Sequence, residues 1–275
     1  MSGQWDTTRL FQLPMYDWPE NHAVIDRLAA AISEASAPHG LRIPRTLDRS
    51  REHCSAWSAA DLALSQTCGL PLVAELKDRV SVLGSFAFSC APGPPGSYDS
   101  VIIIRRQSRI RDFEDLRGSC IAINSEDSYS GCLAMRVLMA MHSPAGGFFG
   151  SCLVSGGHRN SVQAVASGEA DTAAIDCVSW HMARTHDTAA RDLEVLVRTA
   201  SRPGLPLITT TGRSRQELEA LRSALGEAVE ALSTAHRDRL GLIGFVPADA
   251  DSYAIIADDL QRFGAVPLVA AVAET

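Results

Sequence analysis

The chain has 275 residues, enough for one large or two modest domains, and 46% of them are hydrophobic. That composition excludes a disordered chain and is ordinary for a soluble globular protein. A formal net charge of −7, with no basic stripe carrying interleaved aromatics, argues against a nucleic-acid surface.

Taken in order, the hydrophobic pattern alternates between strand and helix. RLFQLPM predicts a first strand, HAVIDRLAAAISEAS a helix and LRIPRTL a second strand. ADLALSQTCG reads as a short buried strand ending in a Gly-bearing turn. RVSVLGSFAFS and YDSVIIIRR are β-branched and aromatic strands. RIRDFEDLRG predicts a short polar helix closed by its Gly. SCIAINS (strand) then SYSGCLAMRVLMAM (helix), GSCLVSG (strand) then NSVQAVASGE (helix), and ADTAAIDC (strand) then VSWHMART (helix) repeat the alternation. LEVLVRTA is a strand, RSRQELEALRSALGEAVEALS is the most amphipathic helix, and SYAIIADDLQRF predicts the last helix. Such alternation implies an α/β fold with mainly parallel sheets. Pro/Gly loops at APGPPGS and SRPGLP look like crossovers between two lobes. They predict one lobe from residues 1–104 plus 205–275 and an inserted lobe from 105–204.

The longest apolar runs, such as SVIIIR and PLVAAVA, are too short to span a bilayer. The opening MSGQWDTTRLFQLPMYDWPEN has no basic stretch followed by an apolar one, which predicts no secretory signal. The seven cysteines have no CxxC spacing, and their odd number suits free thiols in a reducing compartment. No zinc pattern appears, and neither a metal nor a cofactor is expected.

Chemistry concentrates where strands give way to helices. In CIAINSEDSYSGCLAMRVLM, the turn SEDSYSG feeds a helix N-terminus, whose free N–H groups and partial positive charge favour a phosphate, phosphonate or carboxylate. Ser128 and Ser130 add hydroxyls, Tyr129 a phenol, and Gly131 allows close backbone approach. An ordinary Ser cap with solvated neighbours accounts for the same stretch equally well. LVSGGHRNSVQAV repeats the pattern with His158, Arg159, Asn160 and Ser161, and a solvated loop histidine is its plain alternative. AAIDCVSW ends a buried strand in Asp176, where ligands sit in open α/β sheets and where Asp is also a common helix cap. Earlier in the chain, LPMYDWPEN offers Tyr16 and Asp17 after the first strand, and SQTCG offers Gln66, Thr67 and Cys68 after another. Cys68 as a nucleophile would need a base such as His53, His158 or His181, and a polar wall role is favoured.

DLRGSCIAINSEDSYSGCLAMRVLM, SGGHRNSVQAVASGEADTAAIDCVSW and the upstream SQTCG resemble the phosphonate/phosphate-type substrate-binding proteins of ABC transporters. The resemblance runs from about Leu62 to Thr211 with order and spacing kept. It implies a two-lobed type II periplasmic-binding-protein fold with a two-strand hinge and a small polar or anionic ligand held between the lobes. It implies ligand contacts at Ser128, Tyr129, Ser130, the Gly131 N–H, His158 and Asp176, and since acidic residues pair with a ligand amine in some relatives, it offers that role to Asp176. Tyr16, Asp17, Gln66 and Thr67 follow from their position after strands. The implied function is non-catalytic capture of phosphate, a phosphonate or a related oxyanion, with an ABC permease as partner and a periplasmic location. The expectation of no leader in this stretch fits either a removed signal or a cytoplasmic location, and the latter brings two alternatives: a lyase-type enzyme of cofactor biosynthesis on the same scaffold, or a ligand sensor. Glu126 and Asp127 beside the anion turn must point away, accept from a protonated ligand oxygen, or signal a weakly anionic ligand.

Overall fold

The computed structural model describes residues 9–143 and 147–270; the first eight residues, part of the stretch read for a leader, lie outside them. In chain order the main elements are β1 (Leu10–Phe11), α1 (His22–Ser36), β2 (Leu62–Gln66), β3 (Val80–Phe88), β4 (Ser97–Tyr98), β5 (Ser100–Arg105) and β6 (Cys120–Ile123). A one-turn π-helix (Tyr129–Leu133) leads into α2 (Ala134–Ala140), followed by β7 (Ser151–Val154), α3 (His158–Ser167), β8 (Thr172–Asp176) and α4 (Cys177–His186). Then come β9 (Leu193–Arg198), β10 (Arg202–Pro203), β11 (Pro206–Thr210), α5 (Arg215–Ala231), α6 (Thr234–Leu240), β12 (Leu242–Pro247) and α7 (Ala254–Phe263).

The chain divides into two compact units, Met1–Ser97 with Pro203–Ala254, and Tyr98–Arg202 with Ile255–Thr275. The first is built on a sheet of order β1-β2-β11-β3-β12. α1 buries Val24, Ile25, Leu28 and Ile32, a helical stripe, and packs with α5 side chains Leu221, Leu225 and Val229 in one core. Each such side chain contributes about 1.5–3 kcal/mol on burial. α5 starts where its sequence says it should: Ser214 accepts the Glu217 N–H, and the Glu217 carboxylate returns to the Ser214 N–H, a capping box. The second unit is built on a sheet of order β7-β6-β8-β5-β9, with Ile102, Ile121, Met135, Met139, Phe148 and Phe149 in its core. β4 and β10 pair as a separate two-stranded sheet where the chain passes from one unit to the other.

Several expectations are corrected. The sheets are mixed rather than mainly parallel: β11 and β12 run antiparallel to β3, and β5 runs antiparallel to both β8 and β9. LRIPRTL forms no strand. Pro44 has no N–H to donate, and Leu41 and Ile43 reach the core from irregular backbone that Ser33 Oγ ties down at the Ile43 carbonyl, 2.7 Å away. RIRDFEDLRG yields only a single 3-10 turn, Glu114–Leu116. The Asp112 and Asp115 side chains take local backbone N–H groups there and compete with the helix. GLIGFVP and TAHRDRL, not assigned from the sequence, are β12 and α6; an edge strand tolerates the Gly and Pro that disguise it. The unit boundaries also fall elsewhere than expected. β5 sits inside the second unit's sheet, so that unit begins before it. The tail from Ile255 belongs to the second unit too, because Leu268 enters that core and Asp259 receives Arg202.

Candidate functional site

In the second unit β6 lies between β7 and β8 and runs parallel to both. Parallel neighbours deliver their C-terminal turns to one sheet edge. The turns carrying Ser128–Gly131, His158 and Asp176 therefore meet there for a topological reason.

Ser128 caps the helical turn, its Oγ accepting the Gly131 N–H at 3.1 Å. That N–H, expected to face a ligand, is thus held by the cap. Ser130 Oγ lies 2.8 Å from His158 Nε2, and Asp176 Oδ2 lies 3.3 Å from the same nitrogen. Asp176 Oδ1 caps α4 by accepting the Val178 and Ser179 N–H groups at 3.0 and 2.9 Å. Asp176 is therefore both a cap and a neighbour of the histidine. Burial holds the His158 pKa below its ordinary value, against the opposing pull of Asp176, so the imidazole is neutral near pH 7. The carboxylate beside Nε2 favours the tautomer with its proton on that nitrogen.

Tyr129 departs from its expected role. Its ring is buried, and its O–H donates to Asp259 Oδ2 at 2.6 Å. Arg202 clamps the same carboxylate through Nε at 2.6 Å and Nη2 at 3.0 Å. Burial, then the bond to Asp259, pushes the phenol pKa up, so it stays a proton donor. Arg159, the one cation in the turn sequence, is held by Asp187. Glu126 and Asp127 are exposed while the four residues after them are buried.

The remaining expected residues lie in the first unit. β1 and β2 are parallel neighbours, so the loops after them leave from one edge of that sheet. Tyr16 packs edge-on against Phe88 at 5.3 Å. Asp17 is engaged by both Nε and Nη2 of Arg49, and lines a cavity of about 490 Å³ with Arg49, Arg51, Glu52 and His53. Gln66 and Thr67 are buried at the end of β2, where the Gln66 carbonyl accepts Trp57 Nε1–H at 3.0 Å.

The neutral His158 makes a pH prediction. Its folded pKa is depressed, so the unfolded chain takes up the proton first on acidification. Stability is then full above about pH 6.5, the unfolded value, and declines as pH falls below it. Thermal unfolding between pH 7.5 and 5 is expected to fall less steeply in His158→Gln than in wild type; parallel curves would refute the assignment.

Among known proteins, a family model described as ABC transporter, phosphonate, periplasmic substrate-binding protein matches residues 58–253. A binding protein component of an ABC phosphonate transporter from Pseudomonas aeruginosa superposes with TM-score 0.72 at 17% identity, covering 92% of this chain and 86% of that one. PhnD1 from Prochlorococcus marinus, solved with methylphosphonate, gives TM-score 0.70 at 16% identity, covering 93% and 98%. A Xanthomonas citri protein bound to chloride ion gives 0.68 at 19%, covering 94% and 99%. These likenesses show the fold. No curated protein matches the chain. Among the described residues, no helix is long and apolar enough to cross a membrane.

Proposed function

Because the chain belongs to the phosphonate ABC transporter periplasmic substrate-binding protein family, we propose that it captures a small phosphorus oxyanion at the Ser128–Gly131 turn and delivers it to an ABC permease. The observation that carries this reading is the state of two buried hydroxyls. Ser128 Oγ already accepts from Gly131, and Ser130 Oγ lies 2.8 Å from Nε2 of His158. In the tautomer with the proton on Nε2, each hydroxyl has a lone pair engaged and its O–H left to donate, and both flank a helix start whose dipole favours negative charge. The donors are neutral, so the ligand's charge is met by oriented dipoles in a buried site rather than by a counter-ion.

The same geometry disfavours the enzymatic alternative. Ser130, His158 and Asp176 have the composition of a nucleophilic relay but not its connectivity. A relay needs the hydroxyl and the carboxylate on opposite ring nitrogens, and here both address Nε2. Asp17, in the first unit, is held by Arg49.

Methylphosphonate, inorganic phosphate and small dicarboxylates titrated into the protein test the reading. A ligand that binds only the folded form stabilises it by about 2.7 kcal/mol at a hundredfold excess over Kd, so a clear rise in Tm is expected with the phosphorus oxyanions. No shift with either at millimolar concentration overturns the proposal.

A further inference from the structure

We propose that Asn124 is a further ligand-donating residue of this site, its side-chain Nδ2 presented to the oxyanion because its Oδ1 is trapped against Gly131. The inference rests on the reading of an oxyanion at the Ser128–Gly131 turn.

Asn124 directly follows β6, and its backbone carbonyl accepts the Gly156 N–H at 2.9 Å, so its backbone is pinned between the serine turn and the His158 turn. Its Oδ1 is buried with no hydrogen-bond partner. A Cβ built on Gly131 would lie 1.8 Å from that oxygen, 2.7 Å from Asn124 Cγ and 3.2 Å from His158 Cε1. The carboxamide oxygen thus rests on the bare Cα of Gly131, where only a weak C–H···O contact is available. Gly131 is required here by that close approach.

The other end of the carboxamide is different. The residue as a whole is half-buried, Nδ2 is not enclosed, and among the described residues none accepts from it. Rotating the group by half a turn would press two N–H hydrogens onto the Gly131 Cα–H and hide two donors instead of one acceptor. The contact with Gly131 therefore fixes which atom faces outward. The result is a rigid, neutral donor against Gly131, in the turn that carries the Ser128 and Ser130 hydroxyls. Neutrality matters because Asp176, paired with an uncharged histidine, already places negative charge in the site. An aspartate at 124 would add a second carboxylate facing the anion, whereas the carboxamide adds donors without charge.

Calorimetry with methylphosphonate on wild type, Asn124→Asp and Asn124→Ala tests this, with thermal unfolding confirming the fold of each. Asn124→Asp is nearly isosteric and is expected to lose affinity about tenfold or more at pH 7, since a donor becomes a repelling acceptor. Part of that loss relative to wild type is expected to return near pH 4.5, where the new carboxyl begins to take up a proton and can donate again. A smaller, pH-independent loss is expected for Asn124→Ala. If wild type binds and both variants bind within twofold of it, or if the Asn124→Asp deficit is the same at both pH values, Asn124 has no donor role. Wild-type protein that binds neither methylphosphonate nor phosphate overturns the oxyanion reading as well.

Discussion

The Ser128→Ala/Ser130→Ala double variant is expected to bind methylphosphonate at least about 100-fold more weakly than wild type, since each hydroxyl bond to a charged ligand contributes about 1.5–3 kcal/mol. The two serines occupy different positions in the argument. Ser128 also caps the turn, so its loss costs about 1 kcal/mol of stability besides affinity. Ser130 caps nothing; its hydroxyl meets His158 Nε2 at 2.8 Å, and its carbonyl accepts from Ser100 Oγ at 2.9 Å. Ser130→Ala alone should lower affinity and also cost about 1 kcal/mol, because His158 Nε2 loses its 2.8 Å partner, and Ser128→Thr, which keeps a hydroxyl, should retain both affinity and stability. Isothermal titration separates these effects. A double variant within threefold of wild type would remove the hydroxyls from the recognition mechanism.

Much of this site was legible in the sequence because its logic is local. A polar turn after an apolar run marks a strand's C-terminal end, and three such turns in one segment predict a shared edge once the strands are adjacent. The start of α1 is also readable: it begins at His22 after the Pro19–Asn21 turn, as its periodicity predicts, whereas α3 begins two residues before its expected start and α5 two residues after. The misreadings have a common cause, which is that side-chain partners distant in sequence leave no local mark. Tyr129 reads as a ligand phenol because nothing near it reveals Asp259, 130 residues away. Asp17 reads as a free carboxylate because Arg49 lies in a loop mistaken for the surroundings of a second strand. Asn124 reads only as the end of the strand SCIAINS. The signal that could have found it is the Gly seven residues on, whose missing side chain makes room for the carboxamide. The tail went to the wrong unit for the same reason: its hydrophobic pattern predicts a helix but says nothing of which core receives Leu268.

The residue that corrects the tail also carries the largest expected effect on stability. Asp259→Ala is expected to destabilise the protein by about 3–5 kcal/mol, because it leaves the Arg202 guanidinium buried without its counter-charge. Both side chains are largely enclosed, Arg202 at 10% and Asp259 at 8% exposure, so solvent screens the pair little. The same carboxylate accepts from Tyr129, so the substitution also strands a buried phenol whose ring opens the ligand turn. Replacing the pair together by Arg202→Met/Asp259→Leu removes both charges and keeps apolar bulk, and its cost should be far smaller than that of the single change. Tyr129→Phe, which leaves the ion pair intact, should cost only about 1 kcal/mol. Urea unfolding of the four proteins decides the matter. If Asp259→Ala unfolds within about 1 kcal/mol of wild type, the buried charge is relieved by water in solution, and the carboxylate does not anchor α7. If it unfolds early while the apolar double variant does not, α7 is held to the second unit by one uncompensated-charge penalty. Affinity for methylphosphonate should then fall in Asp259→Ala and recover in the double variant only as far as the Tyr129 ring returns to its place.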